Sequence, residues 1–301
     1  MTGAAPATPV PAALQHPAGV WFFDWVIPIA GGAVIVWAVA DSVRRRQLTW
    51  WLLFLLNSML VYWMETMGDW GQELLYSPAF ARHHLLDWLP VKTPNDPLFM
   101  PFAYAVYWTV HALVVLGLGQ LLMSRFGISM LRAILILAVP VNYAWDFLVE
   151  GIATAAGWWT YDPGMGPSVT WSDGGRITLL WTVGLMCVWP NLIAYWAGKP
   201  PVRGLNHLER FLGLRRWTRP AATRSMVPDQ AAGDGGVRTL TRTVASQDAL
   251  LDYDVVVPRW RFEVARFAAW FVVFQLSFFL LLIVPLVLMR VLTGHDSVYV
   301  P

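Results

Sequence analysis

Two short runs of this sequence carry acids inside stretches that are otherwise apolar. Trp63-Met64-Glu65-Thr66-Met67-Gly68-Asp69-Trp70 closes one such stretch, and Asn142-Tyr143-Ala144-Trp145-Asp146-Phe147-Leu148-Val149-Glu150 lies well inside another. In each run the acids stand four residues apart, so on a helix they stack on one face. Two carboxyls so placed in a low dielectric resist ionising together. A protonated acid beside an ionised one is the arrangement that general acid–base chemistry uses. Asp146 and Glu150 thus suit a catalytic or binding cavity, an ion or proton pathway, or hydrogen bonds to Asn142, Tyr143 and neighbouring backbone that fix helix contacts.

A metal is not expected. Di-iron bundles pair a Glu with a His three residues on, and neither acid pair has one. His111 is the only histidine deep in an apolar stretch, and His83 and His84 lack metal-ligand spacing. The sequence also shows no aspartate-rich diphosphate-binding motif, no phosphate-cradling glycine loop and no nucleophile elbow. Cys187 stands alone in an apolar run and reads as a small buried residue.

Nineteen tryptophans fall into two groups. Trp21, Trp25, Trp50, Trp51, Trp88 and Trp260 suit an interfacial belt. Trp63, Trp70, Trp145, Trp158, Trp159 and Trp171 cluster in sequence with the acids. Aromatic faces stabilise nearby positive charge, so acids lined with aromatics suit a reaction that passes through a cation. Packing or interface anchoring is the other reading for each. Trp63, Trp70, Trp145 and Trp159, with Asn142 and Asp96, complete the candidate binding set.

The elements that must position these residues follow from composition. The chain has 301 residues, 57% hydrophobic and 13% charged, about half the roughly 25% charge of a soluble protein. That points to an all-α membrane protein, a bundle of about six transmembrane helices with interfacial segments. Spans are expected at about 21–40, 50–65, 98–123, 131–156, 177–196 and 267–289, each near the ~20 residues that cross the hydrocarbon. Residues 1–20 read as a disordered tail without a basic n-region. Residues 21–197 form a five-span bundle carrying the site, 198–259 an Arg-rich flexible cytoplasmic loop, and 260–301 the last span and tail. Arg44–Arg46, Arg125 with Arg132, and the Arg-rich segment fall on one side of this arrangement. The positive-inside rule therefore places both termini outside. With ~1.5 Å rise per residue from Leu131, Asp146 lies about 22 Å deep and Glu150 about 28 Å. Every unusual acid then converges on the outer half. A buried Asp costs at least ~2.5 kcal/mol on insertion scales, so these acids should face the bundle interior. No Arg or Lys is expected at their depth.

At these residues the chain resembles the AveC-type spirocyclase family of actinobacterial membrane proteins, over roughly residues 44–196. The resemblance comprises a Trp-x-acid turn at the end of a span (Trp63, Glu65), a Tyr-containing polar segment (Tyr76-Ser77) and an acid-Pro pair before the next span (Asp96-Pro97). An Asp-Phe-x-x-Glu helix (Asp146, Phe147, Glu150) and a Gly-x-x-x-Tyr loop (Gly157, Tyr161) follow. Order and spacing carry it more than any single motif. The family's first acid is usually Asp followed by Pro, with an Asn-Tyr pair after it; here Glu65-Thr66 and Asp69-Trp70 occupy those places. Asp96 stands where Glu is common. These exchanges keep the acids but change their reach, which leaves the substrate open.

The resemblance implies a cofactor-independent cyclase that closes a dihydroxy-ketone polyketide into a spiroketal, sometimes with dehydration. A hydroxyl is protonated and leaves as water, and an oxocarbenium ion is captured by the second hydroxyl. Asp146 and Glu150 would be the acid–base pair, Glu65 and Asp69 assisting acids, and Tyr161 a hydrogen-bond donor. The expected partners are an apolar small molecule and the lipid bilayer, with no nucleic acid. Two other readings stay open: an isoprenoid cyclase or hydratase that protonates an alkene, and a small proton-coupled transporter.

Overall fold

The computed structural model describes residues 10–180, 187–198, 204–220, 253–294 and 296–300. Four of its helices are long and apolar enough to cross a membrane: Phe22–Arg45, Met100–Phe126, Met130–Ala155 and Arg259–Thr293. Their outward positions are apolar and exposed, as at Val36, Leu135, Ile136, Leu148 and Leu280. That surface needs lipid rather than water around it.

The first long helix opens on a π turn, Phe22–Val26, that runs into α1 (Ile27–Arg45). Arg46 ends it in the left-handed conformation. The second expected span is two helices, α2 (Trp50–Leu60) and α3 (Tyr62–Gly71), separated at Val61. Here the Asn57 amide donates to the Leu53 carbonyl at 2.7 Å, and Val61 N reaches Asn57 O at 3.2 Å. The third and fourth spans are α4 (Met100–Phe126) and α5 (Met130–Ala155), and α5 is started by Ser129, whose hydroxyl accepts from Arg132 N. The fifth differs from expectation at its start. Ile177 and Thr178 belong to a strand, and helix resumes as α6 (Trp189–Ala197); residues 181–186 of this span lie outside the described residues.

α4 is the central helix, packed against α1, α2, α5 and α6. Trp108 meets Trp189 edge-on at 5.1 Å, and Trp189 meets Phe278 at 4.8 Å. Such aromatic stacking fills the middle of the bundle.

Three small antiparallel pairs close the ends. β1 (Leu74–Tyr76) pairs with β2 (Trp159–Tyr161), and β3 (Ser168–Thr170) pairs with β4 (Arg176–Thr178). At the arginine-rich end β5 (Thr218–Pro220) pairs with β6 (Tyr253–Val255).

Two expected loose segments are partly built into the bundle. Residues 1–9 of the expected tail lie outside the described residues; in the rest Leu14 is fully buried, and Ser77 Oγ donates to its carbonyl at 2.9 Å. Ala18 N bonds Ala156 O at 3.0 Å. Within the Arg-rich segment α7 (His207–Phe211) starts on an Asn206–Glu209 capping box and packs on α6 and on α8 (Arg259–Phe278). Buried Glu209 meets Arg266 at 2.5 Å and accepts from Trp270 Nε1 at 2.9 Å, while Arg266 also donates to Leu48 O at 2.6 Å. The last long helix thus carries an internal arginine that the sequence did not lead one to expect. It serves the end where Arg44–Arg46 emerge. A π turn, Phe279–Ile283, joins α8 to α9 (Val284–Thr293).

Candidate active site: an acid cavity at one end of the bundle

Met100 to Trp108 on α4, the last turns of α5 and the acidic half of α3 enclose a cavity of about 360 Å³. Glu65, Asp146 and Glu150 line it, with Tyr76, Tyr104, Tyr107, Tyr161, Trp108, Trp158 and Trp159. Phe23, Ile27, Phe99, Phe102, Leu282 and Leu286 supply apolar wall. No Lys, Arg or His lines it among the described residues.

The helices and the β1–β2 pair aim the donors. Strand side chains alternate faces, so Trp159 and Tyr161 point the same way, and that way is toward α5. Trp159 Nε1 and Tyr161 OH each donate to Glu150 Oε2 at 2.7 Å. Leu75, between Leu74 and Tyr76, faces the other side and packs on Leu14 and Val300. Gly157 permits the turn into β2: its φ is +72°, and a Cβ there would run into the Ala13 carbonyl.

Asp146 is held by Tyr107 and Asn142, and Asn142 in turn by Asn191 and His111. Tyr107 OH donates to its Oδ1 at 2.6 Å, and Asn142 Nδ2 approaches its Oδ2 at 3.5 Å. Asn142 Oδ1 accepts from Asn191 at 2.8 Å and lies 2.9 Å from His111 Nε2. An amide oxygen only accepts, so His111 carries its proton on Nε2. His111 is thereby a hydrogen-bonded core residue, and no group of three or more His, Cys, Asp or Glu placed to hold a metal occurs among the described residues.

Glu65 sits across the cavity from α5, within hydrogen-bond reach of Tyr104 and Asp69. It is half-buried, as is Glu150, and both line the cavity. Asp69 is 1% exposed and does not line it; it accepts from Tyr76 at 2.8 Å and Gln72 at 3.0 Å. Asp69 thus supports Glu65 from behind.

Several expected binding residues point elsewhere. Trp63 faces outward and donates to Gln275 at 2.8 Å. Trp70 stacks under the Arg290 guanidinium, 4.0 Å from its ring centre. Trp145 packs on Tyr107 and His111 outside the cavity, and Asn142 stands behind Asp146. Asp96 is buried in the loop before α4 and accepts from Thr66 at 3.0 Å. Successive helical residues turn by about 100°, so a neighbour in sequence is seldom a neighbour on a face. Trp63 is about 200° round α3 from Glu65, and Trp145 about 100° from Asp146.

Comparison of the chain with models of protein families, with curated proteins and with solved structures finds no match. Its chemistry is therefore read from its own residues. The residues missed in the sequence are Tyr104, Tyr107 and Trp108. A signal for them existed: together with His111 they form an i, i+3, i+4, i+7 stripe on α4.

Proposed function

We propose that this protein is a membrane-embedded, cofactor-independent cyclase that works on a neutral apolar substrate by carboxylate acid–base chemistry. The observation that carries the reading is the cavity itself, where Glu65, Asp146 and Glu150 each meet a tyrosine hydroxyl amid aromatic walls. Glu65 gives a proton to a leaving hydroxyl, and the Asp146–Glu150 side takes one from the capturing hydroxyl. Glu150 accepts two hydrogen bonds on one oxygen, which keeps that oxygen an acceptor. The aromatic rings face the cation formed between the two steps. Apolar walls limit competing attack by water.

The spiroketal-forming reaction implied by the resemblance to the AveC-type spirocyclases fits these groups. An isoprenoid cyclase or hydratase would use the same acids and rings. Among the described residues no basic side chain is on the lining, which argues against a diphosphate-bearing substrate for it. A proton-coupled transporter would show flux that is lost in Asp146→Asn without any chemical change in the solute.

The topology belonging to this reading has six spans. The four long helices are joined by the α2–α3 pair and by the segment ending in α6. The Arg-rich segment is cytoplasmic, and the termini and acid cavity lie at the outer side.

Mass spectrometry of metabolites that accumulate on gene deletion tests the reading. The deletion strain should accumulate an uncyclised hydroxylated precursor. Complementation with Glu65→Gln, Asp146→Asn or Glu150→Gln should fail or fall by ~10²–10⁴-fold in rate. Full complementation by all three would contradict it.

A further inference from the structure

Glu65 gives up its proton in each turnover of the proposed reaction, and the cavity beside it is walled largely by apolar groups. Polar side chains, joined in part by main-chain and ring contacts, lie between Tyr104 on the cavity wall and the surface. At the exposed end His84 Nδ1 lies 2.9 Å from Asp87, and Lys92 bonds Asp87 at 3.1 Å and Asp96 at 3.5 Å. Asp96 is 2% exposed and accepts from Thr66 Oγ1 on α3. His83 N bonds the Asp96 carbonyl at 3.3 Å, and His83 Nε2 lies 3.0 Å from Tyr62 OH. Tyr62 is buried, and its ring meets Tyr104 edge-on at 5.7 Å. Tyr104 reaches Glu65. The charge of Asp96 acts on both Glu65 and Asp69.

Two buried atoms among these side chains, Asp96 Oδ1 and His83 Nδ1, have no hydrogen-bond partner among the described residues. Buried polar atoms without partners are uncommon in folded proteins. Each can take or hand on a proton without first breaking a bond.

We propose that His83, Asp96 and Tyr62 form a proton port, through which Glu65 and Asp69 exchange with the medium at the acidic end of the bundle. Passage of a proton leaves each of these groups as it was, so no group changes oxidation state and the port is restored each time. Burial raises the Asp96 carboxyl above its ordinary range, and burial likewise lowers the His83 imidazolium. The two are thereby brought closer in proton affinity. Asp87, His84 and Lys92 face the port from the surface loop, and Glu65 and Asp69 face it from α3.

The port rests on the proposed function only for its use; its existence is testable without substrate. Infrared spectroscopy of the protein in lipid nanodiscs, switched from H₂O to D₂O, follows exchange of a protonated carboxyl. Loss of its band in Glu65→Gln assigns it. Exchange should slow at least ~10-fold in Asp96→Asn, Tyr62→Phe and His83→Gln, and return in Asp96→Glu. His83→Gln alters a half-buried loop position, and so tests the path where a buried variant fails to fold. Wild-type exchange rates in folded variants, or no protonated band assignable to Glu65, would overturn the proposal. Full product formation by Glu65→Gln would instead overturn the proposed function and leave the exchange result standing.

Discussion

Tyr107 OH lies 2.6 Å from Asp146 Oδ1, joining α4 to α5 at the wall of the cavity. The bond fixes the one strong donor that Asp146 receives, since its other partner, Asn142, stands at 3.5 Å. Tyr107→Phe removes the hydroxyl and leaves the ring packing against Trp108 and Trp145. The expected cost is about 1–3 kcal/mol in stability, read as a lowered unfolding midpoint in detergent. Product formation should fall ~10–100-fold through loss of orientation. An unchanged rate would separate Asp146 from the chemistry.

Gly71 on α3 lies against Leu286 on α9. A Cβ on Gly71 would stand 2.8 Å from the Leu286 carbonyl carbon and 2.9 Å from Val287 N, both backbone atoms that cannot step aside as a side chain can. Gly71→Ala should therefore cost about 1–3 kcal/mol. Because Leu286 lines the cavity, the same variant should weaken substrate binding more than it slows the bound substrate. A thermal melt and a substrate titration check the two effects.

Asp96 sets an expected pH dependence. Burial raises its carboxyl above the ordinary value of 3.8, so the folded protein holds that proton more tightly than the unfolded chain does. Stability should then be greatest below the unfolded value and fall as pH rises through the folded one, levelling off above it. Asp96→Asn should flatten that part of the curve in unfolding midpoints measured from pH 3 upward. An identical slope in the variant would show that Asp96 does not titrate there.

The acids were legible in the sequence because an ionisable residue inside an apolar run has few structural reasons to be there. Glu65, Asp146 and Glu150 reached a common cavity as their placement suggested. Trp159 and Tyr161 were legible beside them, although the strand pairing that turns both toward Glu150 was not: a three-residue strand has too little periodicity to announce itself. Trp63, Trp70 and Trp145 stand near the acids along their helices but not across them, which sequence proximity does not reveal. The break at Val61 was hidden because residues 50–64 are apolar on both sides of Asn57 and Ser58 and carry no Gly or Pro. The internal pair Glu209–Arg266 joins residues 57 positions apart, a contact that no local pattern encodes.

The central claim is that three cavity carboxyls perform the reaction unaided by a cofactor. Its most direct measurement is conversion of the accumulated precursor by the purified protein in lipid nanodiscs, dialysed against a chelator and given no additive. The wild type should give cyclised product, and each of Glu65→Gln, Asp146→Asn and Glu150→Gln should lose ~10²-fold or more. Wild-type rates in all three folded variants would contradict it.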